Sequence, residues 1–210
     1  MTISLSIKVK ICGITNLEDA LACHFAEADA IGFVFYNKSP RYINPLQARN
    51  ISRILPKKIT RAGVFVDEKV SEVKRIAKLC NLEMLQFHGK ESPEYCKRFK
   101  GYKVIKAFRI NKKKDLEGMF KYKTFAYLFD SFSKTKLGGT GNKFNWKILA
   151  QAGRMKPVIF VSGGLTTGNV KKAIKLLKPD WVDASSSLEI KPGKKDHKNI
   201  RKFIQRVKSV

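Results

Sequence analysis

The chain has 210 residues, of which 43% are hydrophobic and 29% are charged, a composition that predicts one soluble globular domain with a substantial core. Its 43 lysine and arginine residues against 17 aspartate and glutamate residues give a formal charge of +26. The basic residues are spread over nearly every predicted helix. This spread argues against a nucleic-acid-binding surface and favours a compositional bias of the lineage and solvation of the surface, with attraction of phosphorylated substrates as a side benefit.

The four cysteines show no paired spacing, the three histidines are isolated, and no apolar run approaches the length of a membrane span. The N-terminal segment, MTISLSIKVKICGI, lacks the long apolar region of a signal peptide. We therefore expect a cytoplasmic protein that binds no membrane and no metal ion.

Eight short apolar runs alternate with amphipathic segments, and the runs start roughly 20 to 30 residues apart, the length of one strand–helix unit. Strict alternation of this kind predicts a parallel sheet, and eight units favour closure of the sheet into a barrel. We therefore predict a single α/β domain over residues 1–210, a (β/α)8 TIM barrel. The predicted strands are residues 8–14, 29–35, 59–66, 83–87, 102–108, 125–130, 158–161 and 180–185.

Helix starts and long connections are also visible in the sequence. Thr15 and Glu18 have the spacing of a capping box, and Thr166 and Asn169 are candidate caps for a helix later in the chain. Two connections, 36–44 and the glycine- and lysine-rich 131–145, are longer than the others. Since they follow predicted strands, they belong at the catalytic end of a barrel.

Several predicted strands carry polar residues at every second position, and such residues share one face of a strand. Outward faces of the barrel strands pack under helices, so we expect the polar faces to point into the barrel. The first and eighth strands become neighbours on closure, which predicts a buried ion pair between Lys10 and Asp183. The residues expected to point inward are Lys10, Cys12, Gln86, His88, Lys106, Trp181, Asp183 and Ser185.

Candidate catalytic residues lie at the carboxyl ends of the strands, where this fold places its active sites. Cys12 and Asp130 form a plausible general base and general acid, with Lys10 as the positive neighbour that a thiolate needs near neutral pH. The alternatives are a core cysteine and a helix-capping aspartate. Arg41 either binds a carboxylate with its fork or decorates a loop, and His88 is either a substrate contact or a buried, satisfied histidine.

Two polar turns predict a phosphate site. Gly163 and Gly164 follow the seventh strand and precede a helix, so their backbone is able to come close to an anion. Ser185 and Ser186 follow the eighth strand, and the loops after the last two strands of a (β/α)8 barrel are a recurrent phosphate site. The alternative for the glycine pair is an ordinary tight turn.

The motifs KICGIT, GFVFYNKSPRYI, QFHG, LFDS with GGTGNKFNW, SGGLTTGNV and DASSSLEIKPGKKD follow one another along the chain. In this order they resemble the phosphoribosylanthranilate isomerase family of tryptophan biosynthesis, from about residue 8 to the C-terminus. The resemblance implies a (β/α)8 barrel without a cofactor. It also implies conversion of N-(5-phosphoribosyl)anthranilate to 1-(2-carboxyphenylamino)-1-deoxyribulose 5-phosphate by an Amadori rearrangement.

On this resemblance Cys12 is the general base, Asp130 is the general acid, and Arg41 faces the anthranilate end of the substrate. The remaining candidate substrate-binding residues are His88, Gly163, Gly164, Asp183, Ser185 and Ser186. Whether the protein is a monomer or a homodimer stays open.

One position departs from the family pattern. Ser187 stands where the family has glycine, so we expect a less close approach of the backbone to phosphate at this position, while the Ser187 hydroxyl is an extra donor. The nearest alternative function is the phosphoribosyl-formimino isomerase of histidine biosynthesis, in which two aspartates usually serve as acid and base. Cys12 argues against it.

Overall fold

The computed structural model of the chain describes residues 6–110, 113–131 and 157–210. In these residues eight parallel strands form a closed barrel in which each strand pairs with the next and β8 pairs with β1. All eight predicted strands are confirmed, with ends that agree to within two residues. The strands are β1 (Lys8–Cys12), β2 (Ala30–Val34), β3 (Thr60–Phe65), β4 (Met84–Phe87), β5 (Lys103–Ile110), β6 (Ala126–Ser131), β7 (Val158–Val161) and β8 (Trp181–Ala184).

Helices connect most of the strands, and their apolar faces join the outward side chains of the barrel in one large core cluster. None of the helices in the described residues is long and apolar enough to cross a membrane. An antiparallel hairpin, which the sequence did not predict, lies between β8 and the last helix. The helices are α1 (Leu17–Phe25), α2 (Pro45–Ile54), α3 (Val70–Leu79), α4 (Pro93–Cys96), α5 (Val170–Leu177) and α6 (His197–Lys208), and the hairpin strands are β9 (Glu189–Lys191) and β10 (Lys194–Lys195).

The lower part of the barrel is filled by small and apolar side chains. Phe160 stacks on Trp181 with a centroid distance of 4.8 Å. Because this layer closes the interior, a ligand has room only at the carboxyl ends of the strands. The layer consists of Ala30, Ala62, Met84, Ile105, Ala107, Ala126, Leu128, Phe160 and Trp181.

The prediction that Lys106 points into the barrel is wrong. Its neighbours along β5, Ile105 and Ala107, both belong to the interior layer, so alternation places Lys106 on the outer side. There the ammonium is buried and forms an ion pair of 2.7 Å with Glu91. The lysine in the apolar sequence of β5 therefore indicates a buried ion pair outside the barrel and does not identify the face that points inward.

The predicted start of α1 is displaced by one residue. Asn16, and not Thr15, is the N-cap, because its side chain accepts a hydrogen bond from Asp19 N at 2.9 Å. The Thr15 hydroxyl donates to the carbonyl of Gly193 in the hairpin turn. The Thr15 hydroxyl thus donates to a distant carbonyl and does not accept from a backbone N–H of the first helical turn, a difference that local spacing does not reveal.

The connection 36–44 is long, as predicted, and bridges back onto β2 through Val34 and Tyr42. It brings Arg41 to the carboxyl end of the barrel. The second long connection, predicted over 131–145, lies outside the described residues beyond Ser131.

Candidate active site

All nine site residues predicted from the sequence line one cavity of about 270 Å³ at the carboxyl ends of the strands. The cavity wall also includes Gln86, Ser162 and Ser187, and an apolar side formed by Val34, Val64, Leu165 and Ala184. The nine predicted residues are Cys12, Arg41, His88, Asp130, Gly163, Gly164, Asp183, Ser185 and Ser186.

Cys12 ends β1 with a free thiol that faces the cavity and contacts Val34 and Val64. Its register partner on β2 is Gly32. A Cβ atom at Gly32 would lie 2.7 Å from Cys12 Sγ, closer than contact distance, so glycine makes the room in which the thiol sits.

The predicted ion pair between Lys10 and Asp183 is confirmed. Lys10 Nζ donates to Asp183 Oδ1 at 2.9 Å, and the lysine side chain is fully buried. Ser162 Oγ donates to the other carboxylate oxygen at 3.3 Å. Burial alone would lower the pKa of Lys10, but the charges of Asp183 and Cys12 outweigh burial and raise that pKa, so the ammonium stays charged.

The same pair acts on the thiol. Burial raises the pKa of Cys12 above its ordinary value, while the neighbouring Lys10 ammonium lowers it and Asp183 raises it further. The Lys10 ammonium thus acts on the thiol in the predicted direction, although burial is the larger influence, and its effect on activity stays a prediction. Without Lys10 the thiolate would be still harder to form.

Asp130 is the penultimate residue of β6 and lies beside His88, which follows β4. His88 Nε2 lies 3.2 Å from Asp130 Oδ2, and both side chains remain partly accessible from the cavity. Gln86, two residues earlier on the same face, contacts the other ring nitrogen. The ring thus has a protein contact at each nitrogen, and a contact from His88 to the substrate stays a prediction.

The guanidinium of Arg41 binds a carboxylate of the protein itself. Its Nε and a terminal nitrogen donate to the Glu189 carboxylate at 2.9 and 2.7 Å. The buried Lys195 ammonium donates to the same carboxylate at 2.9 Å. Burial alone would raise the pKa of Glu189, but hydrogen bonds from Arg41 and Lys195 outweigh burial and hold the pKa below its ordinary value.

Glu189 and Lys195 do not line the cavity but hold residues that do, and the sequence analysis did not identify them. Lys195 Nζ also lies 3.2 Å from the carbonyl oxygen of Ser185, and the Ser185 hydroxyl donates to the carbonyl of Cys12 at 2.9 Å. The network therefore ties Arg41, the turn after β8 and the end of β1 together. The turn-forming pair Pro192 and Gly193 in EIKPGKKD is the signal from which the hairpin could have been predicted.

The turn after β7 is suited to an anion. Gly163 and Gly164 have φ angles of 77° and 67°, and a Cβ atom at Gly164 would meet open space. The predicted helix is confirmed, since Asn169, one of its two candidate caps, is the N-cap residue, but the glycine pair does not lie at the helix start as predicted. Helix α5 begins only at Val170, whose N–H is already bonded to the Thr166 carbonyl. The available donors are therefore those of the turn itself.

A short 3-10 helix, Ser186–Leu188, follows β8 and faces that turn. The N–H groups of Gly164, Ser186 and Ser187 donate to no backbone acceptor in the part of the chain that is described. A turn after β7 opposite a short extra helix after β8 is the phosphate-binding arrangement of many (β/α)8 barrels.

Ser187 fits its position without strain, because its backbone does not adopt a positive φ angle. Its hydroxyl donates to the carbonyl of Leu165 and so connects the two turns. The expectation of an extra hydroxyl donor for an anion is therefore wrong in this structure. Only the N–H of Ser187 remains for that purpose.

Within residues 6–110, 113–131 and 157–210, no group of three or more histidine, cysteine, aspartate or glutamate side chains is placed to hold a metal ion. A thiol, two carboxyl groups, an imidazole, a guanidinium and two turns with N–H donors share one cavity above a filled barrel core. This fold and this cavity define a (β/α)8-barrel enzyme with a small-molecule site at its carboxyl end.

Comparison with known proteins specifies the family. The chain matches the family model described as N-(5′-phosphoribosyl)anthranilate (PRA) isomerase over residues 9–206. An N-(5′-phosphoribosyl)anthranilate isomerase of Pelobacter propionicus is 47% identical over 199 residues, which are 95% of this chain and 94% of the relative. The chain belongs to the N-(5′-phosphoribosyl)anthranilate isomerase family.

Solved structures agree with this assignment. Phosphoribosyl anthranilate isomerase from Thermotoga maritima has a TM-score of 0.92 and 42% identity, covering 97% of this chain and 100% of that chain. Another structure, with a TM-score of 0.86 and 40% identity over the same shares, is an isomerase complex with reduced 1-(o-carboxyphenylamino)-1-deoxyribulose 5-phosphate.

Proposed function

We propose that this protein converts N-(5-phosphoribosyl)anthranilate to 1-(2-carboxyphenylamino)-1-deoxyribulose 5-phosphate in tryptophan biosynthesis, without a cofactor. The observation that carries the proposal is the shared cavity of Cys12 and Asp130, which also contains the donor-rich turns after β7 and β8. It thus combines an acid, a base and a phosphate site, which is what the rearrangement of a phosphorylated sugar amine requires.

In the first step, protonated Asp130 donates its proton to the furanose ring oxygen. The C1′–O bond of the ring breaks, and the anilino nitrogen supplies the electron pair that forms a protonated Schiff base. Asp130 is left as a carboxylate. A side chain at the end of β6 beside a partly accessible cavity is suitably placed for such a transfer.

In the second step, the Cys12 thiolate removes the proton from C2′. The electrons of that C–H bond form a C1′–C2′ double bond and neutralise the Schiff base nitrogen, which gives an enolamine. The enolamine tautomerises to the ketone product. The positive charge of Lys10 supports the thiolate form of the base in this step.

Arg41 and Glu189 belong to the proposed site at the anthranilate end. The guanidinium is only partly buried and already holds the Glu189 carboxylate. A substrate carboxylate would then meet a guanidinium whose orientation is preset by Glu189 and Lys195.

The two-aspartate alternative is less well supported. Besides Asp130, the cavity wall contains Asp183, but that carboxylate is held by Lys10 and Ser162. Both oxygens of Asp183 therefore already accept hydrogen bonds within the protein. Cys12 therefore remains the better candidate for the base.

A fluorescence assay tests the proposal. The purified full chain is mixed with N-(5-phosphoribosyl)anthranilate, generated from anthranilate and phosphoribosyl pyrophosphate, and the loss of substrate fluorescence is followed. We expect turnover in metal-free buffer with chelator present. Turnover of the formimino substrate of histidine biosynthesis, with none of the anthranilate substrate, would contradict the proposal.

The phosphate site makes a separate prediction. Gly164→Asp places a carboxylate where the phosphate is proposed to bind, and a side chain has open space there. Repulsion between the two anions should raise KM at least about tenfold, which corresponds to roughly 1.4 kcal/mol of binding free energy. Steady-state kinetics measures the change.

The matched control is Gly164→Asn, which imposes the same side-chain shape and the same positive φ without the charge. Its KM should rise far less than that of Gly164→Asp. Equal KM values in the two variants would show that strain, and not an anion, explains the effect. A ligand-bound structure with the phosphate outside the turns after β7 and β8 would contradict the proposed phosphate site.

A further inference from the structure

Gln86 is a buried amide in the interior of the barrel, and the proposed reaction gives it no role. It lies on β4 and is only 2% exposed. Its register partners on the neighbouring strands are Val64 and Ile105, both apolar. Since a buried amide without hydrogen bonds is costly, the contact that Gln86 does make is informative.

That contact is with His88 and leads on to Asp130. Gln86 Nε2 lies 3.1 Å from His88 Nδ1. On the other side of the ring, His88 Nε2 lies 3.2 Å from Asp130 Oδ2. A continuous chain of hydrogen bonds therefore runs from the barrel interior to the carboxyl group that serves as the general acid in the proposed mechanism.

These hydrogen bonds determine which nitrogen of the His88 ring carries the proton. An amide nitrogen only donates, so His88 Nδ1 accepts, and the neutral ring carries its proton on Nε2. The Nε2–H group then donates to Asp130 Oδ2. The other carboxyl oxygen, Oδ1, is left to carry the acidic proton that passes to the substrate.

The opposite amide orientation has different consequences. With Gln86 Oε1 toward the ring, Nδ1 would hold the proton, and Nε2 would accept one from Asp130 Oδ2, which takes that proton away from the substrate. Two amide N–H groups would also replace Oε1, an atom that has no partner among the described residues. Two unsatisfied donors cost more than one unsatisfied acceptor, so the first orientation is favoured.

We propose that Gln86 is a positioning residue whose amide holds His88 in the Nε2–H tautomer, so that His88 donates to Asp130 Oδ2 and Oδ1 delivers the proton. This rests on the proposed function, in which Asp130 is the acid. Gln86 is also part of the cavity wall, but its role in this proposal is exerted through His88.

The direct test reads the tautomer without using activity. The full chain is labelled with ¹⁵N-histidine, and the imidazole nitrogen shifts of His88 are measured at neutral pH and assigned with a His88→Asn variant. In the wild type we expect a protonated Nε2 and an unprotonated Nδ1. In Gln86→Met, which keeps the side-chain length, both tautomers should appear. In Gln86→Glu the new carboxylate should hold a proton on Nδ1.

Kinetics distinguishes positioning from substrate contact. Both variants should lose about tenfold to a hundredfold in kcat, the range for one misplaced charge-assisted hydrogen bond, with KM changed less than threefold. An unchanged tautomer in Gln86→Met would overturn the proposal, as would a KM effect with normal kcat.

The tautomer measurement remains decisive if one variant does not fold or if the protein has no isomerase activity. If Gln86→Met does not fold, Gln86→Glu decides alone, because a wild-type tautomer in that variant contradicts the proposed amide contact. If the protein has no isomerase activity, the tautomer measurements still report on Gln86 and His88. Failure of the proposed function is therefore distinguishable from failure of this inference.

Discussion

Replacement of Cys12 by serine or of Asp130 by asparagine is expected to lower kcat by at least about 10²-fold, the usual lower bound for loss of a general base or acid. Each substitution removes one of two sequential proton transfers and leaves the phosphate-binding turns intact. KM should therefore change little. Stopped-flow or steady-state fluorescence measures both constants.

Matched substitutions elsewhere in the chain provide the controls. Cys23→Ser changes a cysteine of the outer core whose pKa is raised to about 12 by burial, so it forms no thiolate near neutral pH. Asp180→Asn changes a carboxylate that accepts from Ile159 N beside the first residues of β7 and β8, at the opposite end of the barrel. Both controls should retain near-wild-type kcat. If Cys12→Ser or Asp130→Asn also retained near-wild-type kcat, the substituted residue would not be the proposed base or acid.

Lys10→Met should affect stability and the pH profile together. It leaves the Asp183 carboxylate buried without its main partner, which costs roughly 3–5 kcal/mol for a buried pair. For a chain of this length the melting temperature should fall by roughly 10 °C. Thermal unfolding monitored by circular dichroism measures this change.

The sign of the pH effect follows from the same contact. The Lys10 ammonium lowers the pKa of Cys12, so its removal raises that pKa. Since the thiolate is the proposed base, the limb of kcat/KM that rises with pH should move to higher pH, and activity at neutral pH should fall. A pH profile of kcat/KM for the variant measures the shift.

Lys106→Met is the control for this variant. Lys106 forms an equally buried ion pair with Glu91, but on the outer side of β5, away from Cys12. Its replacement should destabilise the fold by a similar amount while the pH profile stays at its wild-type position. If both variants shift the profile equally, or if Lys10→Met leaves the profile and the melting temperature unchanged, the proposed coupling is wrong.

Much of the barrel was predictable because its signals are local. The alternation of apolar runs and amphipathic segments identifies β1 to β8, and a strand's period of two places Cys12 beside Lys10 on one face. Closure of the eight parallel strands then makes β1 and β8 neighbours, and the register of that strand pair places Lys10 opposite Asp183. The end of each strand is equally local, which is why all the predicted site residues line one cavity.

The pairing of charged side chains was decided only by the tertiary structure. Arg41 binds Glu189 across 148 positions of the sequence, and His88 meets Asp130 across 42. Lys106 is buried on the outer side of β5, where the Glu91 carboxylate from another part of the chain pairs with its ammonium.

The physical reason for this division is the range of the interactions. Hydrophobic periodicity and strand alternation act between residues that are close in the sequence, so one chain is enough to read them. A buried charge or amide is stable only if its partner is brought to hydrogen-bond distance, and the partner of Arg41, Lys106 or Gln86 is set by how separate strands and loops pack. The residues that line the cavity were therefore predictable from the sequence, while the contacts that orient them form only in the closed barrel.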